Sequence, residues 1–181
     1  TCTVGAAGAT IRLDNLSIAG RNGMSPHRLS AHIEPGRVTV LMGDNGAGKS
    51  TALQAIAALV PPTEGRVTID GVDVGDLSRP DWWRQLSWLA QRPVLIPGTI
   101  AENLALFGPL DDSDEACSEA GFDEVRAGQP RGMATLLGRG GTGLSLGQRQ
   151  RLGLTRALGS RAPVLLLDEP TAHLDQITEA T

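Results

Sequence analysis

The sequence predicts an α/β fold: a mixed sheet with helices, an antiparallel β subdomain toward the start and an α-helical subdomain toward the end. Three observations carry this. The first 75 residues alternate apolar and polar positions, residues 37–42 (RVTVLM) lead through a glycine-rich loop into a stretch of helix formers, and a second apolar run, Val164–Leu167, ends in two acids. At 181 residues and a formal net charge of −4, the chain is long enough for one core with a small subdomain, burying about 70% of its unfolded surface. The acidic balance argues against a general nucleic-acid binder. Cys2 and Cys117 follow no metal-ligand spacing and make no disulfide framework, which suits a reducing compartment. No apolar run approaches the roughly 18 residues of a membrane span, and no signal peptide opens the chain.

Taken in order, residues 1–9 (TCTVGAAGA) read as a linker or disordered start, and residues 10–181 as one domain, truncated at its C-terminal end. Residues 10–18 and 28–33 alternate as half-buried strands do. Val67 to Ile69 and Val72 to Val74 flank Asp70-Gly71, a dipeptide that favours a type I′ hairpin turn. Trp82, Trp83 and Trp88 are three of five aromatic residues and precede a strand at 86–89. Core packing accounts for all three, although Trp82 and Trp83 can instead face a partner. Residues 99–107, 113–120 and 145–158 read as helices with Thr99, Ser113 and Ser145 as N-caps, within a helical subdomain at about 100–161.

The chemistry begins at Gly43-Asp44-Asn45-Gly46-Ala47-Gly48-Lys49-Ser50, with Thr51 following, where Lys49 is the one lysine among sixteen basic residues. The pattern is that of a phosphate-binding loop: glycines let backbone N–H groups turn inward around phosphates, and the lysine reaches the β/γ oxygens as a point charge. The predicted helix at 50–59 points its positive end at the same place. The core is therefore expected to be that of a P-loop NTPase, binding ATP with Mg2+, and Ser50 is a metal ligand. About 120 residues after Lys49, Asp168 and Glu169 leave an apolar strand. One acid can serve the metal's water shell while the next, pointing the other way, addresses an attacking water.

Leu144-Ser145-Leu146-Gly147-Gln148 precedes that strand, and here the chain resembles the nucleotide-binding domain of an ABC transporter, whose signature reads LSGGQ. Leu146 replaces the signature's first glycine. Gln91, 42 residues beyond Lys49, is similar to the family's Q-loop glutamine, and Ala172-His173-Leu174-Asp175 is similar to its D-loop, with Ala172 for serine. The resemblance covers about residues 9–177. It implies ATP hydrolysis with Glu169 as general base or water-orienting residue, Gln91 and Asp168 at the metal and its waters, Lys49 offsetting developing charge, and Ser145 with Gly147 meeting the γ-phosphate of a second domain. Two such domains, alike or different, close head to tail over two ATPs and drive a transmembrane domain, fused or separate, at the cytoplasmic face of the membrane. The family's switch histidine lies past Thr181, so hydrolysis by the segment alone is expected to be weak. No aromatic stands where the family stacks adenine, and Arg21 offers its guanidinium plane instead.

Residues 93–103 (PVLIPGTIAEN) resemble the exporter-type run PxLFxGTIxEN, and residues 135–141 (TLLGRGG) fall where exporters carry TEVGERG. LSLGQ and TAHLD further resemble the bacterial half-transporters that export thiol reductants such as glutathione and cysteine during cytochrome bd assembly. Arg149 and Arg151 read as a solvated helix face. The rival reading is a soluble ABC ATPase acting on ribosomes or DNA; a P-loop kinase leaves Leu144 to Gln148 unexplained. No nucleic-acid partner is expected.

Overall fold

Alternation becomes a sheet in the first of the two units into which the chain divides, Thr1–Leu86 and Ser87–Thr181. The computed structural model describes residues 4, 5, 8–21 and 23–170. Strand β1 (Ile11–Ser17) lies between β4 (Leu29–Ile33) and β5 (Glu64–Ile69), and β6 (Val72–Asp73) pairs on β5, giving the antiparallel order β4-β1-β5-β6. Ile11, Leu13 and Leu16 are buried, so strict alternation breaks between Leu13 and Leu16. The register explains it: three steps on β1, from Asp14 to Ser17, oppose two on β5, from Arg66 to Glu64. This is a β-bulge, with Asn15 left-handed at φ 49°. The turn between β5 and β6 has Asp70 at φ 48° and Gly71 at φ 83°, the two positive angles that a type I′ turn needs.

Between β1 and β4 the chain makes a small hairpin, β2 (Ala19–Gly20) with β3 (Gly23–Met24). After β4 comes the first departure. The expected strand at 37–42 has no strand partner among the described residues, and Val38, Val40 and Met42 are 94%, 73% and 87% exposed. Apolar β-branched residues report a propensity, but a strand exists only where a neighbour supplies its ladder of hydrogen bonds. The helix α1 (Lys49–Ile56) follows the glycine loop as expected. Its C-terminal end is closed by two consecutive tryptophans of α2 (Arg79–Trp83): Trp82 Nε1–H donates to the Ile56 carbonyl at 2.9 Å and Trp83 Nε1–H to the Ala57 carbonyl at 2.8 Å. Orphan carbonyls at a helix end need such partners. Trp82 is buried, as expected of core packing, whereas Trp83 is 46% exposed. Of residues 1–9, Val4 and Ala9 are buried.

In the second unit β7 (Leu86–Leu89) pairs with β10 (Val164–Leu167), and the pairing continues one residue further, from Asp168 N–H to the Leu89 carbonyl at 2.9 Å. Strand β10 is less enclosed than an all-apolar run suggests: Val164 and Leu166 are buried, and Leu165 is 39% exposed. Strand β8 (Gly98–Thr99) leads into α3 (Ile100–Leu104), capped by Thr99 as expected. Helix α4 (Ser113–Glu119) is capped by Asp112, not by Ser113: the carboxylate one residue earlier accepts the Glu115 N–H at 3.1 Å. Next come α5 (Asp123–Ala127), β9 (Leu136–Leu137), which pairs with β8, and α6 (Leu146–Gly159). Leu95, Ile100, Leu104, Phe122, Leu137 and Leu152 form the centre of this unit's core. Among the described residues no helix is long and apolar enough to cross a membrane.

Replacing Trp82 by phenylalanine keeps a ring but leaves the Ile56 carbonyl without its donor. We expect a loss of about 1–3 kcal/mol, read as a lower melting temperature, and a smaller loss for Trp83→Phe because its indole hydrogen bond is only partly buried.

Candidate functional site

The glycine loop lies in the first unit. Lys49 Nζ reaches back across it, donating to the carbonyls of Gly43 at 2.7 Å and Asp44 at 2.9 Å. Ala47 N–H closes a turn onto the Asp44 carbonyl at 3.1 Å. Gly48, left-handed at φ 90°, is the N-cap of α1, whose first helical bond runs from Ala52 N–H to the Gly48 carbonyl at 2.8 Å. The amides of Lys49 and Thr51 therefore precede that first bond, and no acid stands in the first turn of α1. A helix start of this kind favours an anion. Gly43, Asp44, Asn45, Gly46 and Ala47 are exposed, and Gly48, Lys49, Ser50 and Thr51 are half-buried, so the loop is open to a ligand. Arg21 stands exposed in the turn of the β2–β3 hairpin.

Gln91, Asp168 and Glu169 lie in the second unit. Gln91 Nε2–H donates to the Glu169 carboxylate at 2.6 Å, so the two residues that the sequence expects at an attacking water are already in contact. Its amide oxygen is the end left for a metal or water. Glu169 does not owe its direction to strand alternation, as the sequence suggested: it leaves β10 at φ 51°. A left-handed glutamate holds about 1–3 kcal/mol of strain, a feature that clusters at functional sites. Gln150, which the sequence reading did not single out, supports the turn by donating from Nε2 to the Glu169 carbonyl at 3.3 Å. Asp168 is buried beside it. Ala172, His173, Leu174 and Asp175 lie outside the described residues.

Ser145 begins α6 through a capping box: its hydroxyl accepts the Gln148 N–H at 3.2 Å, and Gln148 Oε1 accepts the Ser145 N–H at 2.9 Å. Ser145 is exposed, and among the described residues its hydroxyl proton has no acceptor. Leu144 is buried, Leu146 is 59% exposed, and Gly147 and Gln148 are half-buried. Helix α6 is seated on the segment after Gln91: a Cβ at Gly153 would stand 2.6 Å from Pro93 Cγ and 2.8 Å from Leu89 Cδ1. A buried arginine ties the two further. Arg156 Nη1 and Nη2 donate to the Val94 carbonyl at 3.1 Å, Nη1 also to the Asn103 carbonyl at 3.3 Å, and its Cζ lies 4.7 Å from the Phe107 ring centroid. Burial holds its pKa below the usual guanidinium range. Asn103, fully buried, accepts from Ile96 N–H and donates to the Ile96 and Thr99 carbonyls.

Arg156 was not legible in the sequence as a buried anchor, whereas Asn103 left a trace, being a polar residue between Ile100 and Leu104 on an apolar stripe. The expectation for Arg149 and Arg151 is corrected. Arg149 Nε donates to the Leu144 carbonyl at 2.9 Å and Arg151 Nη1 to the Gly121 carbonyl at 3.0 Å, with the Arg151 side chain 14% exposed. Long arginine stems cover apolar surface while the head bonds a carbonyl, so helical spacing alone overstates their hydration. Residues 93–103 and 135–141 are brought together by the β8–β9 pairing of Gly98 with Leu137 and Thr99 with Leu136.

Residues 26–172 match the family model described as ABC transporter. The mycobactin import ATP-binding/permease protein IrtB of Mycolicibacterium smegmatis is 44% identical over 151 residues, 82% of this chain and 26% of that protein. ABC transporter B family member 28 of Arabidopsis thaliana is 40% identical over 83% of this chain and 22% of its own length. A bacterial Atm1-family ABC exporter solved with ATP bound superposes with a TM-score of 0.89 at 30% identity, covering 98% of this chain and 32% of the exporter chain. The chain thus spans about a fifth to a third of the length of these three proteins.

Gly153→Ala forces a methyl group into Pro93 and Leu89. We expect overpacking to cost about 1–3 kcal/mol, seen as a lower melting temperature of the variant.

Proposed function

The chain belongs to the ABC transporter family, and from that premise we propose how its residues divide the work of ATP binding and hydrolysis. The observation that carries the reading is the loop at 43–50, preformed around Lys49 at the start of α1. Its amides and the Lys49 ammonium bind the phosphates and offset the charge that develops on them. Glu169, held by Gln91 and Gln150, takes the proton from or orients the attacking water, and Gln91 joins that water to Glu169. Ser50, Gln91 and Asp168 are hard oxygen donors of the kind Mg2+ takes. An ion of this kind keeps few protein ligands and takes the rest of its shell from substrate phosphates and water. Mg2+, when bound, neutralises charge on the phosphate oxygens. Arg21 stacks on the adenine.

Ser145 and Gly147, at the N-terminus of α6, meet the γ-phosphate held by a second such domain, alike or different. The spare proton of the Ser145 hydroxyl supports this reading. Two domains then close head to tail on ATP and part after hydrolysis. Their transmembrane partner, at the cytoplasmic face of a membrane, docks against the paired segments 93–103 and 135–141, where Val94, Ile96 and Leu136 are exposed apolar residues. One relative is named for import and the solved neighbour for export, so direction and substrate are set outside this domain. The finer reading, export of thiol reductants such as glutathione and cysteine, rests on the resemblance of LSLGQ and TAHLD to transporters of that kind and on no substrate contact within this domain. ATP-dependent uptake of labelled glutathione by inverted vesicles holding the full-length protein tests it, and no uptake removes it.

For the site, we expect Lys49→Ala to lose ATP binding, and Glu169→Gln to keep it while turnover falls at least about 100-fold. Undiminished phosphate release by Glu169→Gln in the full-length protein sinks the assignment of the base. Arg21→Ala is expected to weaken ATP; unchanged affinity rules out the stacking role.

A further inference from the structure

The phosphate loop is held from outside by a strap that takes no part in the chemistry described above. Ser25 Oγ–H donates to the Gly46 carbonyl at 2.6 Å. One turn further along the loop, Gly48 lies against the peptide that joins Ser25 to Pro26: a Cβ there would stand 2.5 Å from the Ser25 carbonyl carbon and 2.3 Å from the Pro26 nitrogen. The strap is itself anchored. Ser25 N–H donates to the Ile18 carbonyl at 2.8 Å, Ile18 N–H to the Pro26 carbonyl at 3.1 Å, and Pro26 is buried. These two bonds close the foot of the β2–β3 hairpin, whose turn holds Arg21.

The consequence is local and geometric. In a trans peptide the carbonyl and the following N–H point opposite ways. The peptide joining Gly46 to Ala47 is bonded at both ends, its carbonyl to the Ser25 hydroxyl and its N–H to the Asp44 carbonyl. Gly46 and Gly48, at φ 84° and 90°, would otherwise give this part of the loop wide freedom. A loop ordered before the ligand arrives loses less entropy on binding it.

We propose that Ser25 is a positioning residue for the phosphate loop, its hydroxyl setting the peptide that joins Gly46 to Ala47 so that the loop amides are ready for the phosphates. The proposal rests on the reading of residues 43–50 as the phosphate site. Because the strap acts on the loop, it acts on phosphates whether or not a nucleoside is attached. Ser25 has no role in contacting the base.

The test is equilibrium binding of ATP and of inorganic tripolyphosphate to the full-length protein and to Ser25→Ala, Ser25→Thr and Lys49→Ala variants, with melting temperatures measured without ligand. One neutral, part-exposed hydrogen bond corresponds to about a two- to fivefold change in affinity. Ser25→Ala is expected to weaken ATP and tripolyphosphate by that same factor with little change in melting temperature, and Ser25→Thr, which keeps the hydroxyl, to restore both. Unchanged affinity in Ser25→Ala, an equal loss in Ser25→Thr, or a loss confined to ATP overturns the proposal. Should the alanine variant not fold, Ser25→Cys, with its weak S–H donor, is read by the same criteria. Lys49→Ala separates the two levels: if it binds both ligands like the parent protein, the phosphate-site reading itself has failed, whereas a failure at Ser25 alone leaves that reading standing.

Discussion

A helix leaves unpaired N–H groups at one end and unpaired carbonyls at the other, and most of what this chain does depends on where those groups are sent. Helix α1 keeps its N-terminal amides toward the glycine loop, with Lys49 folded back over that loop's carbonyls. Its other end is closed by the indoles of Trp82 and Trp83. The tandem tryptophans thus anchor the helix at the end remote from the chemistry and leave the phosphate end available. Helix α6 resolves the same requirement differently. Ser145 and Gln148 satisfy one another's backbone amides, which makes a firm start to the helix without spending the Ser145 hydroxyl proton.

The second unit is held together as much by polar groups as by its apolar centre. Arg156 is buried, has no carboxylate partner among the described residues and bonds the carbonyls of Val94 and Asn103, while Asn103 closes the turn from Ile96 to Thr99. Carbonyls leave no second ionisable group to complicate the pair, and the planar fork suits two acceptors at once. With Gly153 allowing close approach to Pro93, the helix that starts at the signature and the segment that starts at Gln91 share one packed surface. Contact of Gln91 with Glu169 extends that continuity to the proposed base.

Legibility followed the range of the interaction. Strands β1, β4, β5 and β10, the type I′ turn and the caps at Thr99 and Ser145 were visible in the sequence because the pattern that marks each lies within a few positions, even where, as for the strands, the partner is distant. The run at 37–42 shows the limit: its pattern is that of a strand, yet among the described residues it has no ladder partner. Ser113 lost the cap to its neighbour Asp112 because local rules rank both as good caps and only the backbone decides between them. Arg151 looked solvated by helical spacing, although its head finds the Gly121 carbonyl 30 positions away.

The sequence by itself determined the family, through the glycine loop at 43–50, the run from Leu144 to Gln148 and the acidic pair at 168–169, since these are contiguous words whose glycines, lysine and acids have few other uses at that spacing. Tertiary structure alone decided that Ser25 braces Gly46, that Arg156 holds Val94 and that Glu169 is turned out in a left-handed conformation against Gln91. Each of those joins residues 21, 62 and 78 positions apart. Periodicity and propensity describe a residue's near neighbours along the chain, and carry no information about which distant carbonyl will stand within hydrogen-bonding distance once the chain has folded.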